Sequence, residues 1–168
     1  MSDRGVSTLT AFELTQFIAL AVAFVVVAAL GVLDLLYREI RAEWMYVVLL
    51  VCGLATDVPI DEKIFCLVGI PVMLFICALV LGNRRGLEPT DIVGGADIKS
   101  IACLGFVFGI RVIAISAILS LLLAAPFAFD PEQYEGDNNG KRMIPFCTTM
   151  AVGILITYAF SYAYSLIA

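Results

Sequence analysis

No histidine occurs anywhere in the 168-residue chain. Ser-His and Cys-His nucleophilic machinery, HExxH-type zinc hydrolysis and His-ligated cofactors all lose their central group. Charge is scarce as well: Asp, Glu, Lys and Arg make up 15% of the chain, against 62% apolar residues. A soluble domain of this length needs a polar coat that such a composition does not supply. The five cysteines (Cys52, Cys66, Cys77, Cys103 and Cys147) form no C-x-x-C pair. Neither a thiol-redox motif nor a zinc site is expected of them, and they read as small polarizable packing residues. No metal, no other cofactor and no nucleic-acid partner is expected. The net charge of −5 matters less than where the charges sit, because loop charges set the orientation of a chain in a bilayer.

What is abundant is apolar runs of bilayer length. Six candidate spans can be drawn: Leu14–Leu33, Trp44–Thr56 (extendable to Ile40–Ile60), Ile64–Gly82, Asp97–Ile110, Val112–Phe129 and Met143–Ala168. At about 1.5 Å per residue the longer ones approach a hydrocarbon core of about 30 Å. Continuous apolarity without in–out alternation indicates helices rather than barrel strands. Pro71 predicts a kink in the third span. The first span lacks a positive flank and is too long for a signal-peptide core, so it is expected to remain uncleaved. The expectation is all-α: one domain over residues 1–168, a bundle of six transmembrane helices in the lipid bilayer. Nothing in the sequence specifies an oligomeric state.

Counting Lys and Arg by alternate loops orients the chain. Arg38, Arg41, Arg84, Arg85, Lys99, Lys141 and Arg142 border one side; Arg4, Lys63 and Arg111 border the other. The richer side is cytoplasmic by this rule, which leaves both termini outside the cytoplasm. It also puts Asp34 and Asp97 at the cytoplasmic ends of spans one and four. An acid at a span edge can simply mark that edge, but two at matching depth, one behind a Gly-Gly pair, point to chemistry.

Two close carboxylates that share one proton can hydrolyse a peptide bond without metal, His or nucleophilic hydroxyl. Like charges at short range do not both ionise, so one carboxylate activates water while its protonated partner polarises the scissile carbonyl. Gly94 and Gly95, which lack Cβ atoms, together with the small Ala96 would let an extended substrate backbone approach Asp97. Helix polarity casts Asp97, at a helix start, as the base and Asp34 as the acid. Arg38, four residues after Asp34 on a continuing helix, argues the opposite. A coupled pair also titrates as a unit. Lys99, two residues from Asp97, faces away from it on a helix and reads as a headgroup-seeking residue. A Ser/Lys dyad with Ser100 is disfavoured because adjacent helical residues do not face each other.

These residues carry a family resemblance. Gly94-Gly95-Ala96-Asp97-Ile98-Lys99, followed by Leu104-Gly105, resembles the G-x-[G/A]-D motif of type IV prepilin and archaeal preflagellin peptidases, the GxGD-type membrane aspartyl proteases. Asp34-Leu35-Leu36-Tyr37-Arg38-Glu39-Ile40 with Glu43-Trp44 is similar to the first catalytic motif, closest to the archaeal branch, and Met143-Ile144-Pro145-Phe146 resembles an I-P-F segment at the last span. The resemblance covers nearly the whole chain, though only the two Asp motifs are specific. It implies cleavage of short basic leader peptides from pilin-like or archaellin precursors at the cytoplasmic face of the cell membrane. Asp34 and Asp97 then match the catalytic pair and Gly94 the motif glycine. Departures are plain: Ile40-Arg41-Ala42 replaces a common Ile-Pro-Asn, the cysteine-rich insertion associated with N-methylation is absent, and Phe146 is followed by Cys147-Thr148-Thr149 rather than a glycine-rich segment.

Asp130, Glu132, Glu135 and Asp137, with Glu88 and Asp91 in the preceding cytoplasmic loop, form an acidic set that could steer a basic leader toward the site; an ordinary solvated loop has the same composition. Three other readings compete. A small ion- or proton-coupled transporter would use Asp34 and Asp97 as a relay, although relays place acids at several depths. An assembly subunit would do no chemistry. A presenilin-like peptidase would carry a Pro-Ala-Leu motif near its last span, which this chain lacks.

Overall fold

The computed structural model describes residues 10–37, 43–86, 88, 93–129 and 146–167. Every regular element among them is helical: α1 (Ala11–Tyr37), α2 (Glu43–Leu54), α3 (Ile60–Ile64), a π-helical stretch (Phe65–Gly69), α4 (Ile70–Arg85), α5 (Gly95–Phe129) and α6 (Phe146–Ile167). Three helical runs are long and apolar enough to cross a membrane, Ala11–Tyr37, Ile60–Arg84 and Gly95–Ala125, with shorter apolar helices at Glu43–Leu54 and Phe146–Ser161.

Local chemistry accounts for the boundaries. Thr10 and Glu13 form a reciprocal cap: the Thr10 N–H donates to Glu13 Oε2 at 2.8 Å and the Glu13 N–H to Thr10 Oγ1 at 3.3 Å. That T-x-x-E arrangement satisfies donors that a helix start leaves open. Gly86 ends α4 in the left-handed conformation (φ 66°), as helix C-termini favour. The kink expected at Pro71 takes the form of the π-helical stretch just before it. Proline lacks an N–H and crowds the carbonyl four residues back, here Leu67, and the wider turn relieves that crowding.

The third apolar run starts earlier than its composition predicts, at Ile60 rather than Ile64, and so takes in three charged residues. Two are satisfied internally. The Lys63 ammonium donates to the Thr56 carbonyl at 2.8 Å and lies over the Phe106 ring, while Glu62 Oε1 accepts the Ile110 N–H. Lys63, read from sequence as a loop charge, is buried.

α5 is not one rod. At Gly109 the backbone leaves the helical region (φ 81°, ψ 163°). Ser100 bonds the Cys147 sulfur and Ser120 bonds the Thr149 hydroxyl, at nearly the same height on α6. A straight helix would hold Ser100 and Ser120 about 30 Å apart. Phe108 and Ser116 instead meet Tyr158 and Thr157, further along α6. The chain therefore runs out to Gly109 and folds back. Sequence placed the division between spans four and five at Arg111; it lies at Gly109, and the exposed Arg111 belongs to the returning half.

Alternation continues through the molecule. Gly31 meets Thr148 and Ala151, while Phe24 meets Tyr158, so α1 is antiparallel to α6. Tyr46 meets Ser100 and Gly53 meets Phe106, so α2 runs alongside the outgoing half of α5. The core is drawn from α1 (Ala23, Val27, Leu30), α2 (Leu49), α5 (Val107, Ile113) and α6 (Met150, Ile154). Buried Ser and Thr stitch helices inside, while Phe17, Val25, Leu36 and Leu121 lie on the outside. Such a surface suits hydrocarbon contact, and small residues with interhelical hydrogen bonds are how helices associate there.

Gly153 is one such small residue. A Cβ there would stand 2.6 Å from the Ser116 carbonyl oxygen and 3.2 Å from its Cα. Replacing glycine by alanine in a helix usually gains up to about 1 kcal/mol. Here the intruded atoms are backbone and the two helices must part, which costs about 1–3 kcal/mol. Gly153→Ala is expected to lower the thermal midpoint of the detergent-solubilised protein; an unchanged or raised midpoint would refute this packing.

Candidate active site

Asp34 lies in the last turn of α1, because that helix continues to Tyr37 instead of stopping at the apolar boundary. Its carboxylate reaches across to another helix: Oδ2 accepts the Thr148 N–H at 3.1 Å, with the Thr148 hydroxyl 3.5 Å away. The same hydroxyl donates to the Gly31 carbonyl at 2.7 Å, one turn before Asp34 on α1. Gly31 permits this approach, since a Cβ on it would sit 3.2 Å from Ala151 Cβ and 3.4 Å from Thr148 Cα.

Asp97 lies in the first turn of α5. The Gly94 carbonyl accepts the Asp97 and Ile98 N–H groups at 3.1 and 3.2 Å, so Gly94 opens the helix. A Cβ on Gly94 would stand 3.0 Å from Asp97 Oδ2, whereas one on Gly95 would meet nothing within 4 Å. Glycine at 94 thus leaves room for the carboxylate, and glycine at 95 borders open space. Ala96, half-buried, offers its carbonyl to the Ser100 hydroxyl at 2.8 Å. Ser100 in turn bonds the Tyr46 hydroxyl at 3.1 Å and the Cys147 sulfur at 3.1 Å.

Asp34 and Asp97 are thereby brought to one end of the bundle. Both are half-buried, each carboxylate lies within electrostatic reach of the other, and both lie within reach of the Cys147 thiol. The small-residue segment 94–96 is at the same place. Asp130, Glu132, Glu135 and Asp137 lie outside the described residues, as do Arg38 and Asp91; Glu88 is exposed.

Helix polarity does not set the two acids apart. Asp34 ends its own helix but accepts a hydrogen bond from the first turn of α6, so both acids sit at helix N-termini. Lys99 does not extend alone toward headgroups. Its ammonium pairs with Glu43 on α2 at 2.8 Å, with both side chains largely in the open (58% and 76% exposed), where an ion pair contributes little. Ser100, next to it, is buried, so the two point apart as helix geometry requires.

Sequence reading passed over Tyr46, Ser100, Cys147 and Thr148 as parts of the site. Ser100 was findable: three residues after Asp97, it shares that acid's helix face. Cys147-Thr148-Thr149 stood out only as a departure from a motif, and its partners become visible only when α1 and α5 are packed against α6. Among the described residues no group of three or more Cys, Asp or Glu side chains is arranged to hold a metal ion. Comparison with protein-family models, curated proteins and solved structures finds no match for this chain.

Proposed function

We propose that this protein is a membrane aspartyl endopeptidase. In this reading it removes a basic leader peptide from pilin-like or archaellin precursors at the cytoplasmic face of the cell membrane. The observation that carries the reading is that Asp34 and Asp97, distant in sequence, come to one end of the bundle: Asp34 is bonded to the first turn of α6, and Ser100 ties the start of the helix that carries Asp97 to that same turn. Their shared end has an open approach over Gly95.

The chemistry follows from two neighbouring carboxylates with one proton. The ionised one takes a proton from water as that water attacks the scissile carbonyl carbon; the protonated one donates a hydrogen bond to the carbonyl oxygen. The tetrahedral intermediate collapses when a proton passes to the departing amine, and the pair regains its starting state. Because the pair acts as a unit, Asp34 and Asp97 need no permanent assignment as acid and base.

The fold-back at Gly109 supports counting α5 as two spans, and the short apolar helices α2 and α6 supply two more. Together with α1 and the α3–α4 run they make six transmembrane segments, with both termini outside the cytoplasm. On this arrangement the end that holds the aspartates also holds Arg84 and Lys99, as the positive-inside rule asks of a cytoplasmic face. The acidic residues at 130, 132, 135 and 137, assigned to the cytoplasmic side by the sequence reading, would attract a Lys/Arg-rich leader.

The deciding experiment uses purified protein in liposomes and a fusion of a short Lys/Arg-rich leader to a pilin-like helix. Wild type should release the leader; Asp34→Asn and Asp97→Asn should not. A transporter relay would show ion flux without cleavage by the wild type.

A further inference from the structure

Three consecutive residues at the start of α6 each bond a different neighbouring segment. The Cys147 sulfur meets Ser100 on the outgoing half of α5, three residues from Asp97. Thr148 meets Gly31 and Asp34 on α1. The Thr149 hydroxyl meets Ser120 on the returning half of α5 at 2.6 Å. Successive helical residues point about 100° apart, so one turn can address three helices. This turn is tied to both helices that carry the acids.

We infer that Thr148 is a positioning residue that holds the Asp34 carboxylate at its working distance from Asp97, with the first turn of α6 as the reference frame. The inference rests on the peptidase reading above. The Thr148 hydroxyl has one proton, and at 2.7 Å it goes to the Gly31 carbonyl rather than to Asp34 Oδ2 at 3.5 Å. That bond ties α1 to α6 one turn before the acid; the Thr148 N–H then holds the carboxylate itself. Ser100 spans the Ala96 carbonyl, Tyr46 and Cys147, which ties the first turn of α5 to the same turn of α6. Water attack needs both carboxylates in register, and a misplacement of about 1 Å can cost about 100-fold in rate.

Thr148→Val keeps the N–H and the volume but removes the hydroxyl. It should lower kcat about 10- to 100-fold with KM nearly unchanged, because substrate binding is not what the hydroxyl serves. Thr148→Ser, which restores the hydroxyl, should recover most of the loss. Thr157→Val is the control: it removes a comparable interhelical bond, to Ser116, more than two turns further along the same helix, and should leave kcat near wild type. Should Thr148→Val not fold, Thr148→Ala makes the same deletion and is read the same way. Equal losses at residues 148 and 157, or a normal kcat in Thr148→Val, would overturn the positioning role while leaving the peptidase intact. Asp34→Asn and Asp97→Asn belong in the same assay: if they cut at the wild-type rate, the peptidase reading fails and the positioning role with it.

Discussion

Asp34→Asn and Asp97→Asn are each expected to lower the rate of leader cleavage by at least about 10³-fold, and the double variant is expected to lose no more than either alone. Asparagine keeps the size and hydrogen-bonding reach of aspartate but can neither accept the proton of the attacking water nor donate an acid proton to the carbonyl. General acid–base catalysis contributes about 10²–10⁴-fold per group. The two groups share one proton, so removing one disables the other, and losses that would add for independent residues coincide for a unit. Asp34→Asn is expected to fold, because the Thr148 N–H that bonds Asp34 Oδ2 can bond an amide oxygen as well. Loss of activity with an unchanged melting profile is therefore the expected pairing. Additive losses in the double variant would indicate two acids acting separately rather than as one proton-sharing unit.

How far sequence reaches toward this site depends on which interactions are local. Apolar runs report helices because a hydrocarbon-facing helix is apolar all round, and the helices at Ala11–Tyr37 and Gly95–Phe129 lie where composition puts them. Asp34 and Asp97 were visible because a carboxylate at the edge of an apolar run needs a reason. The charges of Glu62 and Lys63 misled the boundary of the third run, since their partners, the Ile110 N–H and the Thr56 carbonyl, are supplied by chain that packs there only after folding. Thr148 illustrates the same limit at the site. A threonine after a cysteine has no local signature of its use, and its partner Gly31 lies on the first helix. Helix polarity at Asp34 is hidden from sequence for a related reason: the helix that carries this residue is α1, whereas the helix that holds its carboxylate is α6.

The largest effect on folding is expected at Gly109. With φ 81° and ψ 163°, this residue occupies backbone space that is essentially restricted to glycine, at a cost of about 1–3 kcal/mol for any other residue. A second term adds to it. The Cβ of Gly109→Ala would lie 2.9 Å from Glu62 Oε1 and 3.6 Å from Val58 Cγ1. The Glu62 carboxylate would have to withdraw from the Ile110 N–H, the first donor of the returning half, and leaving that part-buried N–H without its partner costs up to about 1–3 kcal/mol. Glycine's own entropic handicap in a helix, about 1 kcal/mol, is too small to offset these terms. The obvious escape is closed as well. If the two halves straightened into one helix over Gly95–Phe129, its 35 residues would span about 52 Å, well beyond a hydrocarbon core of about 30 Å. It would also pull Ser120 from Thr149 and Ser100 from Cys147. Gly109→Ala is therefore expected to lower the thermal midpoint by about 5–15 °C, at about 2–4 °C per kcal/mol for a chain of this size. Glu62→Gln, whose amide oxygen can still accept the Ile110 N–H, should lower it by less. A Gly109→Ala protein that melts with wild type would mean that the chain does not fold back at this residue, and the pairing of Ser100 and Ser120 with one end of α6 would need another cause.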